Sequence, residues 1–442
     1  MSEIPTLNDD STYSRRQAWR WIPSLYFAQG VPYVVVMTVA VIMYKRLGVS
    51  NTEIALYTSW LYLPWVIKPF WSPLVDVLRT KRWWIVSMQL LIGAGLAGVA
   101  LTLPTSNFLQ YSLAFLWLLA FSSATHDIAA DGFYMLAMPA HEQAWFVGIR
   151  STFYRLAMIA GQGLLVMLAG ALERLQGIPQ AWATTFYLLG GFFLICSAYH
   201  GFVLPVPSSD TPGTDRTASE VISDFIETFI SFFNKPGIGL SLAFLLLYRF
   251  SEAQLAKMAS PFLLDPIAKG GLGFTTEQVG VVYGTVGIAM LTLGGILGGI
   301  VAARQGLKFW LWWMVAAINL PNAVYVFLSQ VQPENYIVVN LCVAIEQFGY
   351  GFGFTAFMLY MLYISRGEHE TAHYAICTGF MALGMMLPGM LSGWLQELIG
   401  YQRFFIWMMI ATVPSFIVCG LVKIDPSFGR RNTQEITEES VT

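Results

Sequence analysis

The feature that most limits how this chain can fold is a series of long apolar runs along almost its whole length. A helix needs about 20 mostly apolar residues to cross a bilayer. Only 11% of the residues are charged, whereas soluble domains carry about 25%, so much of the surface must face lipid. We therefore predict an all-α integral membrane protein. The twelve predicted transmembrane helices, numbered as spans 1 to 12, are 21–43, 53–74, 83–103, 109–137, 145–171, 181–203, 237–259, 277–302, 309–329, 335–364, 373–398 and 402–422.

The longest polar stretch between two spans divides the chain into two sets of six. This stretch, 205–235, is rich in Pro, Ser and Asp. We expect it to be a linker between six-helix bundles over 21–204 and 236–423. The remaining segments, 1–20 and 424–442, are predicted tails.

The two halves contain related segments. Residues 47–53 (LGVSNTE) stand before span 2, and 272–277 (LGFTTE) stand before span 8, matching with one residue inserted. The Glu-x-Ala of 142–144 recurs at 370–372. Two parallel six-helix repeats are typical of the major facilitator fold, in which substrate is held near the midplane between the halves. The pattern therefore predicts a secondary transporter.

The distribution of Lys and Arg predicts the orientation, because cytoplasmic loops are enriched in these residues. If the N-terminus is cytoplasmic, fourteen Lys and Arg lie on the cytoplasmic side and six on the other. The six include Lys45, Arg46, Arg174 and Lys257. We expect both termini in the cytoplasm, with lipid as the protein's surroundings.

Composition excludes several other functions. A formal net charge of −2 gives no reason to expect a nucleic-acid partner. The cysteines, Cys196, Cys342, Cys377 and Cys419, each stand alone in an apolar run without metal-ligand spacing. There is no Gly-x-Ser-x-Gly and no loop long enough for a catalytic domain. We expect no catalytic residues, no cofactor and no metal, and a chain that functions as a monomer.

Ionisable residues inside the predicted spans are the best candidates for function. A charge at the bilayer centre costs at least about 2.5–3.5 kcal/mol on insertion scales, so each needs a partner, a water-filled cavity or a role. The candidates are Lys68, His126, Asp127, Asp131, Arg150, Arg155, Arg249, Glu252 and Glu346.

The first half combines paired acids with cations. Asp127 and Asp131 are four residues apart and share a helix face. Lys68, Arg150 and Arg155 lie at comparable depth. One interpretation is a structural salt-bridge cluster. The other is a cationic wall for an anionic substrate, in which one carboxylate changes protonation and Arg155 binds the substrate carboxylate through two hydrogen bonds.

The second half contains a predicted pair and a lone acid. Arg249 and Glu252 are three residues apart and can pair. Glu346 has no opposite charge nearby in sequence. Burial in a membrane helix disfavours the charged form of a carboxyl, which makes Glu346 the best candidate for a proton carrier. The alternative is a permanently neutral, hydrogen-bonded Glu. His126 is a weaker candidate.

A second group of charges lies at predicted cytoplasmic ends of spans 2 and 8. We expect these charges to form a conformational latch between neighbouring helices, and the alternative is plain positive-inside charge. The latch candidates are Asp76, Arg79, Lys81, Arg82 and Arg304.

At these residues the chain resembles the AmpG-type muropeptide permeases of the major facilitator superfamily. The resemblance covers about 20–424, and its motifs are 27–32 (FAQGVP, including Gln29), 68–76 (KPFWSPLVD), 127–131 (DIAAD), 154–156 (YRL), 248–253 (YRFSEA) and Glu346. It implies proton-driven import of N-acetylglucosaminyl-anhydro-N-acetylmuramic acid, with or without peptide. His126 and Arg150 depart from the family pattern.

Three functional classes remain open from the sequence. The first is proton-coupled import of an amino-sugar or peptide anion. The second is transport of another bulky anion, such as acetyl-CoA or a glycan-derived sugar, because acetyl-CoA transporters share the paired-aspartate segment. The third is a membrane-embedded enzyme or sensor, for which we find no Gly-x-Ser-x-Gly and no pair of cysteines.

Overall fold

The computed structural model describes residues 15–208, 210–212 and 218–430, which form helices and no strands. Within this part of the chain, ten stretches are long and apolar enough to cross a membrane. They are Arg15–Arg46, Lys81–Thr102, Phe108–Leu136, Trp145–Gln176, Ile178–Val203, Ile238–Leu264, Thr276–Gln305, Leu307–Val331, Tyr336–Ser365 and Glu370–Leu421. The prediction of an all-α membrane protein is confirmed, whereas the count of twelve is not.

Two local features explain the lower count. Predicted span 2 is divided into helices Asn51–Trp60 and Leu63–Leu78, of 10 and 16 residues. Predicted spans 11 and 12 fall within the single stretch Glu370–Leu421. Gly400 interrupts that stretch with a φ of 77°, a left-handed conformation that glycine adopts without strain.

The helices follow the apolar runs of the sequence, and three of them contain π-helical turns. The α-helices are Arg15–Val34, Ala40–Arg46, Asn51–Trp60, Leu63–Leu78, Lys81–Thr102, Phe108–Leu136, Ala140–Ile159, Val166–Gln176, Ile178–Val203, Ala218–Phe233, Ile238–Leu247, Phe250–Leu264, Thr276–Val281, Ile288–Gln305, Leu307–Asn319, Ala323–Val331, Tyr336–Ser365, Glu370–Ile410 and Val413–Leu421. The π-helical turns are Val35–Val39, Ala160–Leu165 and Val282–Gly287, in spans 1, 5 and 8. Such turns are frequent at functional sites.

The chain forms two compact units. The first comprises residues up to Val34, Phe70–Met158 and Ala183–Val221. Its core contains edge-to-face aromatic pairs such as Trp21 with Phe133, whose ring centroids are 5.3 Å apart. This geometry suits the quadrupoles of aromatic rings.

The second unit comprises Val35–Pro69, Ile159–Trp182 and the chain from Ile222 onward. Its core is built on rings of spans 7 and 10, such as Phe244 and Tyr360 at 4.1 Å between centroids. The predicted division into bundles 21–204 and 236–423 stays a prediction.

Glycines of span 10 allow close helix packing in the second unit. A Cβ atom at Gly351 would overlap the backbone of Leu291 in span 8, and one at Gly353 would overlap Met314 in span 9. Lipid tails are as apolar as side chains, so helices in a membrane associate through close van der Waals contact between small residues. These glycines therefore place span 10, and with it Glu346, firmly between spans 8 and 9.

Candidate functional site

The paired aspartates of helix Phe108–Leu136 have different surroundings. A carboxylate oxygen of Asp131 accepts a hydrogen bond from the Arg150 guanidinium at 2.8 Å. The same guanidinium lies over the rings of Tyr26 and Tyr134, at 4.5 and 5.0 Å from their centroids. Cation–π contacts and a carboxylate together hold Arg150 in place. Asp127 is half-buried and within electrostatic range of Tyr154.

Arg155 does not join this cluster. The predicted network of Asp127, Asp131 and Arg155 is replaced by the Asp131–Arg150 pair. Five residues separate Arg150 from Arg155, so their side chains leave the helix about 140° apart. Arg155 is exposed and forms no hydrogen bond or ion pair with any residue that the structure describes. Its donors are therefore available to a ligand.

Two other predicted site residues lie in different units. Gln29, in the first unit, is buried, and its side-chain oxygen has no hydrogen-bond partner among the described residues. Lys68, in the second unit, is half-buried within helix Leu63–Leu78. The structure thus leaves a buried polar acceptor at Gln29 in span 1 without a partner among the described residues.

His126 belongs to a buried chain of polar side chains. Its Nε2 lies 3.0 Å from the Gln89 amide nitrogen, and the Gln89 amide oxygen lies 2.9 Å from Nδ1 of His200. His200 in turn contacts the Ser24 hydroxyl at 2.9 Å. Gln89 and His200 were not predicted from the sequence, because isolated polar residues in apolar runs give no sign of their partners. This chain accounts for one ring nitrogen of His126, whereas Nδ1 has no hydrogen-bond partner among the described residues.

Arg249 and Glu252 form the pair that their spacing predicts. The guanidinium donates two hydrogen bonds to one Glu252 oxygen, at 2.9 and 3.1 Å, and both side chains are buried. It also donates to the hydroxyl of Tyr350 at 2.6 Å and lies 4.9 Å from the centre of the Phe354 ring. Each charge is therefore compensated inside the second unit.

Glu346 lies buried on helix Tyr336–Ser365 without a cation. The Gln347 amide donates to its two oxygens at 3.2 and 2.9 Å. Tyr283, Tyr325 and Glu252 are within electrostatic range. No Lys or Arg in the described part of the chain forms an ion pair with it. This arrangement matches the lone acid that the sequence predicts.

Lys257 is a buried cation that the sequence analysis placed among the loop charges. It lies within helix Phe250–Leu264 and is only 2% exposed. Its ammonium donates to the Thr58 hydroxyl at 2.9 Å and lies 5.1 Å from the centre of the Tyr62 ring. A lysine near the end of an apolar run can extend its ammonium to the membrane–water interface. The sequence therefore did not distinguish a buried Lys257 from an exposed one.

A polar network joins the start of span 2 to spans 7 and 11. We call it the Asn51 network; it consists of Lys45, Asn51, Asp265, Gln396, Glu397 and Tyr401. Asn51 donates to Gln396 at 2.6 Å and to the Tyr401 hydroxyl at 2.8 Å. Lys45 pairs with Asp265 at 2.7 Å. These bonds hold together the helix ends of the second unit at which the six residues lie.

A second network joins span 5 to the start of span 8. Glu173 accepts hydrogen bonds from Arg46 at 2.7 Å, from the Trp182 indole at 3.0 Å and from the Thr276 hydroxyl at 2.9 Å. We call these four residues the Glu173 network. With the Asn51 network, it links spans 1, 2 and 5 to spans 7, 8 and 11.

The two copies of the internal repeat, 47–53 and 272–277, each contribute one residue to one of the two networks. Gly48 and Gly273 have positive φ angles of 82° and 69°. Two residues later, the hydroxyls of Ser50 and Thr275 each cap the following helix. The two copies thus match here without an insertion, and the residue after each cap belongs to one of the two networks.

A cavity of about 800 Å³ lies beside the Asn51 network. Charged side chains of both signs line it, including Arg46, Glu53, Lys269 and Glu397. A cavity of this volume is of the size that holds small-molecule ligands.

We expect that the two networks must open during transport. A double variant, Thr52→Cys/Glu397→Cys, places thiols where the Thr52 hydroxyl now donates to Glu397. Joining them with a short bifunctional thiol reagent should lower uptake by about tenfold or more, because it holds one state. Uptake is measured before and after linking, and again after release with a reductant.

The matched controls are the two single-cysteine variants treated with the same reagent. The four native cysteines are buried and should not react in folded protein. Unchanged uptake by fully linked protein would show that the Asn51 network stays closed throughout transport.

The predicted latch residues mostly contact backbone and rings. Arg82 donates to carbonyl oxygens at the end of helix Ile178–Val203, including that of Leu204 at 3.3 Å. Arg79 lies 5.7 Å from the centre of the Trp83 ring. Cations at a helix carboxyl end are stabilised by its unpaired carbonyls. Arg82 therefore ties the start of span 3 to the end of span 6.

The other latch candidates give little further support for a conformational latch. The backbone of Lys81 donates to Asp210 at 2.7 Å. Arg304 is exposed and forms no ion pair with the described residues. The side chain of Asp76 lies outside the part that the structure describes. The latch remains a prediction.

Comparison with known proteins agrees with the fold. A family model described as Major Facilitator Superfamily matches residues 24–373. The anhydromuropeptide permease of Escherichia coli K12 is 26% identical over 406 residues, covering 89% of this chain and 77% of the relative. A putative transporter, AmpG 4, of Rickettsia conorii is 24% identical, covering 89% and 94%. The crystal structure of nucleoside transporter NupG superposes with a TM-score of 0.70 at 15% identity, covering 92% of this chain and all of that one.

These observations define a multi-pass membrane transporter. The chain belongs to the Major Facilitator Superfamily. Its predicted resemblance to AmpG-type permeases is confirmed by relatives that align over most of the chain.

Proposed function

We propose that this protein is a proton-coupled transporter that imports peptidoglycan-derived muropeptides across the inner membrane, with both termini in the cytoplasm. The substrate class is supported by the permease relatives, which align over 89% of the chain. The orientation is supported by the fourteen-to-six distribution of Lys and Arg. The protein acts as a monomer without a cofactor and catalyses no reaction.

The observation that supports proton coupling is the burial of Glu346 without a bonded cation. A carboxyl buried beside an amide, with no cation bonded to it, is disfavoured in its charged form. It can hold a proton while the site is closed and release it when water enters. A protonatable acid in a membrane helix is the usual means of coupling transport to protons.

Arg155 supports an anionic substrate. Its guanidinium is exposed and unpaired among the described residues, and a guanidinium can bind a carboxylate through two parallel hydrogen bonds. Muropeptides that retain their peptide carry peptide carboxylates, and these fit this donor.

The experiment that tests the substrate is uptake into proteoliposomes with an imposed pH gradient, inside alkaline. Radiolabelled N-acetylglucosaminyl-anhydro-N-acetylmuramic acid should accumulate, and unlabelled muropeptide should compete while acetyl-CoA should not. Competition by acetyl-CoA, or by a neutral glycan-derived sugar alone, would reassign the substrate.

A further inference from the structure

Lys257 is buried in the second unit without a counter-charge. It is 2% exposed, and its polar contact is with the Thr58 hydroxyl at 2.9 Å. The Tyr62 ring lies 5.1 Å from the ammonium. No Asp or Glu in the described part of the chain pairs with it.

Two other basic residues of the same unit, the half-buried Lys45 and the buried Arg249, are paired with acids. Lys45 has the carboxylate of Asp265 at 2.7 Å, and Arg249 has Glu252 at 2.9 Å. Removing an ion from water costs several kcal/mol even after relaxation. A hydroxyl and an aromatic face return only part of that cost. Lys257 therefore lacks an anion that its neighbours have.

The surroundings of Lys257 link two halves of the chain. Lys257 belongs to span 7, whereas Thr58 and Tyr62 belong to span 2. Span 11 completes the site: a Cβ at Gly389 would lie 3.4 Å from Lys257 Cγ and 2.8 Å from Ser59 Oγ. Any movement of span 2 away from span 7 removes the hydroxyl from the ammonium and leaves room beside it.

We propose that Lys257 recognises a carboxylate of the transported substrate, which replaces Thr58 as the partner of the ammonium when span 2 moves. The proposal rests on the proposed function, because it assumes an anionic substrate. It adds a specificity-determining residue beyond the predicted set. A carboxylate supplies both the missing charge and the acceptor atoms.

The test compares two ligands that differ only in charge. They are N-acetylglucosaminyl-anhydro-N-acetylmuramic acid and its lactyl methyl ester. Dissociation constants are measured by calorimetry for the full chain in lipid nanodiscs. Wild type should prefer the acid by about tenfold, equivalent to about 1.4 kcal/mol. Lys257→Gln should bind both ligands equally, and Lys257→Arg should keep a preference.

Two matched variants separate recognition from stability. Thr58→Val removes the hydroxyl and should keep the preference for the acid. Lys423→Gln removes an exposed lysine elsewhere and should also keep it. Because the readout is a ratio for two ligands, a general loss of folded protein does not change it.

The outcomes distinguish the two proposals. If wild type prefers the acid and Lys257→Gln retains that preference, the role of Lys257 is wrong and the proposed function stands. Equal binding of acid and ester by wild type also overturns the role of Lys257. If wild type binds neither ligand, the proposed function fails, and the inference fails with it.

Discussion

Glu346→Gln should abolish accumulation of substrate against a gradient while leaving exchange across the membrane intact. Gln has the shape of the protonated acid but cannot release a proton. The Gln347 amide that now donates to Glu346 can still donate to the new side-chain oxygen, so folding should be preserved. Proteoliposomes are loaded with unlabelled muropeptide for exchange, or left empty with a pH gradient imposed for accumulation.

The controls use the same span. Glu346→Asp keeps a titratable group one methylene shorter and should retain part of the driven uptake. Glu334→Gln removes an exposed Glu near the start of the span and should behave as wild type. If Glu346→Gln concentrates substrate as well as wild type, Asp127 or Asp131 becomes the candidate proton carrier.

Glu252→Gln should lower the free energy of unfolding by about 3–5 kcal/mol, the usual cost of breaking a buried ion pair from one side. The change removes the carboxylate that pairs with the buried Arg249 guanidinium, which keeps its hydrogen bond to the Tyr350 hydroxyl and its contacts with aromatic faces. Thermal unfolding is followed with a thiol-reactive dye, because all four cysteines are buried in the folded protein.

The double variant Arg249→Met/Glu252→Leu separates stability from transport. Replacing both charges by apolar side chains is often neutral for stability, so the double variant should unfold near the wild-type temperature but fail to transport. Glu277→Gln serves as the matched control, because its pair with Arg174 is 38% and 70% exposed. Exposed pairs contribute about 0–1 kcal/mol. A double variant less stable than Glu252→Gln would contradict this explanation.

Local sequence patterns predicted much of the fold and part of the candidate site. Hydropathy predicted the helices, and helical spacing predicted the Arg249–Glu252 pair. The repeat before spans 2 and 8 predicted related structures, which the paired glycines and helix caps show. Each of these features depends on residues close together in sequence.

Features that depend on distant residues escaped prediction. The choice of Arg150 rather than Arg155 as the partner of Asp131 depends on how span 5 is rotated. Lys257 was counted as a loop charge, and only its contact with Thr58, 199 residues away, shows that it is buried between helices. The Asn51 network joins side chains about 345 residues apart. Helical periodicity contains no information about such partners.

Proton movement on addition of substrate tests the central claim most directly. Proteoliposomes contain a pH-sensitive dye and begin with equal pH on both sides. Adding N-acetylglucosaminyl-anhydro-N-acetylmuramic acid outside should acidify the interior in wild-type vesicles and leave the pH unchanged in Glu346→Gln vesicles. Entry of the radiolabelled substrate into wild-type vesicles without any acidification would contradict proton-coupled transport.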